Sequence, residues 1–134
     1  MKLQLAICAQ GVSIDRLTNR LSIFNLLETI EAPRFPVFLP EVVFLVLLRR
    51  EKDEPTQFDG EVVVMLDDVT IAKGTAHVDF ENSLQNRQVI TFQGFPVPNP
   101  GELKFQLTFP NLEPFFTTLP VVQTKPVPAN AGTS

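Results

Sequence analysis

Glu102-Leu103-Lys104-Phe105-Gln106-Leu107-Thr108-Phe109 alternates without a fault, four polar side chains against four apolar ones. Period two puts successive side chains on opposite faces of a strand. One buried face and one wet face mark a strand of an antiparallel sheet. The flanks agree. Pro96-Val97-Pro98-Asn99-Pro100-Gly101 precedes it as a rigid turn, and Pro110–Pro114 closes it. Phe115–Lys125 then supplies a last strand.

Working back toward the N-terminus, Gln88–Phe95 reads as a strand with Ile90 and Phe92 inward. In Val69–Phe80, Ala76, Val78 and Phe80 face one way and Thr75, His77 and Asp79 the other, with a bulge or bend expected at Gly74. Asp67-Asp68 sits at the hairpin turn that joins this strand to Glu61–Leu66. Val42–Leu48 is apolar throughout, so both of its faces should be buried. Pro33, Pro36 and Pro40 remove ladder donors, which makes 33–40 an extended connection between sheets. Leu21–Glu31 reads as one strand, its adjacent Ile23 and Phe24 implying a bulge or a short helical turn. Lys2–Ala9 comes first, with Leu3, Leu5 and Ile7 inward.

About eight strands broken by turn signals predict an all-β antiparallel two-sheet sandwich, with an immunoglobulin-like Greek key fitting the count. The tryptophan and disulfide of antibody domains are missing, since the chain has no Trp and one Cys. Residues 1–125 form one domain, and Pro126–Ser134 is expected to be a flexible tail.

Met1-Lys2-Leu3, Asn19-Arg20-Leu21-Ser22-Ile23-Phe24-Asn25, Ala32-Pro33-Arg34-Phe35-Pro36 and Pro100-Gly101-Glu102-Leu103-Lys104-Phe105-Gln106-Leu107 occur here in that order. This series resembles a family of short stand-alone bacterial proteins known only as a domain of unknown function. The likeness spans most of residues 1–123 and implies a β-sandwich. It carries no site residue, because these pieces are turn and strand signatures. The chain departs from the family at Asp67-Asp68, where members often place Asp-Gly.

Composition narrows the chemistry. The chain of 134 residues is 44% hydrophobic, enough to build a core. Its net charge of −4 argues against gripping nucleic-acid backbones. The longest apolar run is too short to cross a membrane as a helix. One free thiol and no secretory signal place it in the cytoplasm as an expectation. No catalytic, metal or cofactor site is expected. His77 and Cys8 are single, and no glycine-rich phosphate loop occurs. The acidic residues at 53–54, 59, 61, 67–68, 79 and 81 are expected in loops or at strand ends, lack calcium-loop spacing and read as turn formers. Arg49-Arg50 is expected at a solvated, salt-bridged strand end.

The phenylalanines remain. Phe35, Phe38, Phe95, Phe115 and Phe116 lie in or next to proline-rich connections, where they either plug the open ends of the sandwich or form an exposed contact patch, with Phe35, Phe38, Phe115 and Phe116 the candidate protein-contact residues. Adjacent Phe115 and Phe116 must face opposite sides, so burying both needs a second cover. These features point to a non-enzymatic binding or assembly module, acting through a protein partner or as a homodimer. The alternative is a small-molecule or lipid carrier with a phenylalanine-lined pocket.

Overall fold

A computed structural model describes residues 1–125. The expected tail at 126–134 lies outside the described residues. Nine strands follow in order: β1 (Lys2–Ile14), β2 (Leu21–Leu27), β3 (Ile30–Ala32), β4 (Val37–Arg49), β5 (Gln57–Leu66), β6 (Val69–Asp79), β7 (Gln85–Val97), β8 (Gly101–Thr108) and β9 (Phe115–Gln123). They form a four-stranded sheet A, ordered β2-β1-β4-β7, and a five-stranded sheet B, ordered β3-β9-β8-β5-β6. No helix occurs among the described residues, so none is long and apolar enough to cross a membrane.

β8 carries out its alternation: Leu103, Phe105, Leu107 and the following Phe109 are buried, while Glu102 is exposed and Lys104 and Gln106 half exposed. The Phe105 ring sits 5.7 Å from Phe44, 5.7 Å from Phe92 and 5.9 Å from Phe95, which ties β8 of one sheet to β4 and β7 of the other. Tilted and edge-on aromatic contacts at such distances add to the burial term. The β5–β6 turn falls at Asp67-Asp68, with φ of 47° and 68°. Both residues take the left-handed conformation that two-residue hairpins require. Asp67 also accepts the Glu102 N–H at 2.9 Å. Its carboxylate fills the space where a side chain on Gly101 (φ 154°) would project, so that position needs glycine.

Three expectations about strands change. The single strand over 21–31 is two, β2 in sheet A and β3 in sheet B, joined across the gap by Glu28-Thr29. β1–β2 register is unbroken through Ile23 and Phe24, so neither bulge nor helical turn occurs there. β3 pairs with β9 in parallel, so the sandwich is not antiparallel throughout. β4 begins at Val37, inside the proline-rich connection. Pro40 is tolerated because β1 pairs with β4 only as far as Val43, leaving that stretch open on one side. Gly74 sits in an even ladder, and the β5–β6 irregularity comes instead between Val64 and Met65.

β4 shows the burial expected of it. Val42, Phe44, Val46 and Leu48 belong to the core between the sheets. Val43 and Leu45 point to the outer face of sheet A, yet Leu45 is 0% exposed. A bend in β1 and β2 explains this. Leu5, Leu47 and Arg87 form one row across sheet A. The hairpin tip at Asn19 reaches that row, because Arg87 donates to the Asn19 backbone carbonyl at 2.7 Å. A straight hairpin would instead carry Asn19 away from Arg87. From the row of Ala9 and Val43 to that of Leu5 and Leu47 is about 13 Å back along the sheet, at roughly 3.3 Å per residue. The hairpin therefore folds back over sheet A and forms a partial third layer on β4. Asn25, with φ 54°, lies in the β2 arm of this hairpin.

The inward face of β1 is accordingly not the expected one. Cys8 and Ala6 meet the core, whereas Leu5 and Ile7 lie in rows with Leu47 and Leu45 on the outer side. A register shift between Leu3 and Leu5 resets the alternation.

Candidate protein-contact surface

The four phenylalanines singled out in the sequence do not converge. Phe35 packs against the core beside the start of β4, and Phe115 does so at the start of β9, 6.2 Å from Phe109. Phe38 is 65% exposed in sheet A. Phe116 is exposed on the outer face of sheet B, with the Lys104 ammonium 4.8 Å from its ring centroid. That cation covers one ring face. Phe38 pairs with Pro96 and Phe116 with Gln106, so they lie in different sheets and toward opposite ends of the sandwich.

Exposed apolar side chains concentrate instead on the folded-back hairpin. Ile23, Phe24 and Leu26 are exposed along β2, and Leu17 at the tip is 96% exposed. The tip is fixed from two sides. Asp15 Oδ1 accepts the Leu17 N–H at 2.8 Å and the Thr18 N–H at 3.0 Å. Arg87 holds Asn19 from the sheet below. Those backbone donors favour the charged form of Asp15 and hold its carboxyl below the usual aspartate range. Arg16 and Arg20 flank the tip, so a basic, leucine-tipped knob stands on an acidic protein. The sequence carried a signal for this surface. In Leu21-Ser22-Ile23-Phe24-Asn25-Leu26-Leu27 the large apolar residues fall on both faces, and both faces of an edge strand are seldom covered.

The reactive groups stay apart. Cys8 lies mid-strand and buried in sheet A, and burial pushes its thiol up to about 12. A neutral buried thiol is a poor nucleophile. His77 is exposed on β6 in sheet B, where Nδ1 meets Asp59 Oδ1 across the β5–β6 pair. Asp59 and Glu61 are within β5, not in loops. Glu61 pairs with Lys73 at 3.4 Å. Among the described residues no three His, Cys, Asp or Glu side chains gather as metal ligands.

Arg50 departs from the solvated strand end expected of it. It is 7% exposed, and its guanidinium donates to the backbone carbonyls of Ser83 at 3.0 Å, Glu51 at 3.2 Å and Glu54 at 3.4 Å. It also lies 5.8 Å from the Phe80 ring centroid. The side chain fastens the β4–β5 crossing to the β6–β7 crossing.

Two depressions open on the surface. One, of about 570 Å3, lies between the hairpin tip and the start of β7, and Ile14, Leu47, Asp79, Glu81 and Arg87 are among its lining residues. The other, of about 440 Å3, is lined in part by Asp59, Gly60, Glu61 and Phe109.

A family model described as a family of unknown function, DUF6941, matches residues 4–122. No curated protein and no solved structure matches the chain. That match takes in all of β2 to β8 and most of β1 and β9, both sheets and the folded-back hairpin included. The chain belongs to the DUF6941 family.

Proposed function

We propose that this chain is a non-enzymatic protein-contact module whose folded-back β1–β2 hairpin presents the contact surface. One observation carries the reading: Leu17 stands 96% exposed on a tip that Asp15 and Arg87 hold in place. A large apolar side chain on a prearranged support loses little freedom on binding. Phe24 and Leu26 extend the apolar area along β2, and Arg16 and Arg20 supply a charged rim. Hot spots of this kind pair an apolar centre with polar surroundings. The basic rim favours an acidic partner surface.

The frame supports an immunoglobulin-like reading. With β2 and β3 set aside, sheet A orders as β1-β4-β7 and sheet B as β9-β8-β5-β6. β7 returns beside β4 after β5 and β6 have formed in the other sheet, an order that supports a Greek-key path. In this reading the β1–β2 hairpin and β3 are additions to the common frame.

A photo-crosslinking residue at position 17, used in the source cell, tests the contact. The expected result is one defined adduct that disappears with Phe24→Ser, while circular dichroism of the variant is unchanged. Diffuse labelling that Phe24→Ser leaves as it was would defeat the proposal. Phe116 forms a second, smaller candidate on sheet B, and position 116 serves as the comparison site in the same experiment.

A further inference from the structure

We propose that β7 is a self-pairing edge: the β7 strands of two copies join antiparallel about a two-fold axis and continue sheet A across the dimer. The argument concerns a different surface from the hairpin and stands whether or not the hairpin binds a partner.

The two sheets leave four edges: β2 and β7 in sheet A, β3 and β6 in sheet B. An unpaired edge templates the addition of another strand, and proteins blunt edges by shortness, bulges, charge or proline. Three of these edges are blunted. β3 is three residues long. β6 has an irregular register at Val64/Met65 and carries Lys73, His77 and Asp79 on its outward face. β2 is seven residues long and carries a positive φ of 54° at Asn25. β7 is thirteen residues long and keeps an even register with β4 from Gln85 to Gln93. Its stretch Gln88-Val89-Ile90-Thr91-Phe92-Gln93 has neither charge nor proline, and the one positive φ of the strand, 60° at Gly94, lies beyond it.

Two features point to a second copy as the occupant. The first is charge. A two-fold axis at Thr91 sets Ile90 against Phe92, Val89 against Gln93, and Arg87 against Phe95. No like charges oppose one another, so self-pairing carries none of the repulsion that guards other edges. The second is burial. Ile90 and Phe92 point to the core, yet both remain half exposed, unlike Phe44 and Val42 beside them in β4. With the axis normal to the sheet, the partner's Phe92 and Ile90 fall on that same face and cover them.

The test uses the full chain. Light scattering across the micromolar to millimolar range should show a monomer–dimer equilibrium. Thr91→Lys, at an exposed side chain, places two ammonium groups together at the axis and should weaken association at least about tenfold. The variant's far-ultraviolet spectrum and melting temperature should match those of the parent. Thr91→Cys should form a disulfide-linked dimer on mild oxidation, since opposed residues in an antiparallel pair sit about 4.5–5.5 Å apart. Buried Cys8 does not compete. Thr118→Lys, on the outer face of sheet B, should leave the dimer intact. A monomer at millimolar concentration overturns the proposal. So does a dimer that Thr91→Lys leaves unchanged, or one that Thr118→Lys dissociates equally.

Discussion

Arg50 and Asp15 are the two charged side chains whose positions decide most locally. Arg50 satisfies three backbone carbonyls from within the fold and, among the described residues, has no carboxylate partner. Hydrogen bonds from a charged donor are worth about 1.5–3 kcal/mol net, and losing the donor strands those acceptors. Arg50→Ala is therefore expected to cost about 2–4 kcal/mol in urea unfolding. Arg50→Lys should recover little, because an ammonium lacks the planar fork. Asp15 gives a pH signature. Its folded-state carboxyl titrates below its unfolded value of about 3.9. The tip is thus fully supported above that value and loses its brace as pH falls through the lower, folded-state value. Amide resonances of Leu17 and Thr18 should titrate together in that acid window. Asp15→Ala should speed their hydrogen exchange at neutral pH. At this scale the sequence was partly readable. Asp67-Asp68 announced its turn because two short polar residues tolerate positive φ. Arg50 was misread because neighbouring Glu51, Asp53 and Glu54 suggested ion pairs, and backbone acceptors leave no trace in composition.

Among the elements, strands with one wet face were legible from their alternation and β4 from its unbroken apolar run, whereas β1 was not. β8 and β6 displayed their inward residues plainly. In β1 the larger Leu5 and Ile7 looked inward, yet the smaller Ala6 and Cys8 face the core. Size failed as a guide because the hairpin covers part of the outer face as well. The switch from β2 to β3 was hidden for a related reason. Glu28-Thr29 crosses between sheets without proline or glycine, so nothing interrupts the pattern. The third layer makes its own prediction. Leu45 lies outside the central cluster, and on a sheet with a wet outer face its loss would change little. Under the hairpin, Leu45→Ala should cost about 2–4 kcal/mol. Val89→Ala, in the same row but exposed, should cost less than about 1 kcal/mol. Urea midpoints for the two variants decide the matter.

For the whole molecule, the order of the strands governs how it assembles. β4 pairs with β7, β5 with β8 and β3 with β9, so most ladders join distant parts of the chain. Loops of that length must close before their contacts are made, which slows folding. Stopped-flow refolding is expected in the millisecond-to-second range, and a microsecond phase carrying the full amplitude would contradict the topology. No functional surface could be read at this scale from the sequence. The candidate knob exists only because the hairpin turns back on its own sheet, and the candidate edge only because β7 ends the order of sheet A.

The placement of the outermost strands has a mechanical meaning. Lys2 lies at the end of sheet A where β4 finishes, opposite Arg49. Gln123 lies at the other end of the sandwich, beside Ala32 of β3. Tension applied between these two points runs along the strands and loads their rungs side by side, so rupture must break many at once. A domain wired in this way resists stretching better than one whose outer strands peel open one rung at a time.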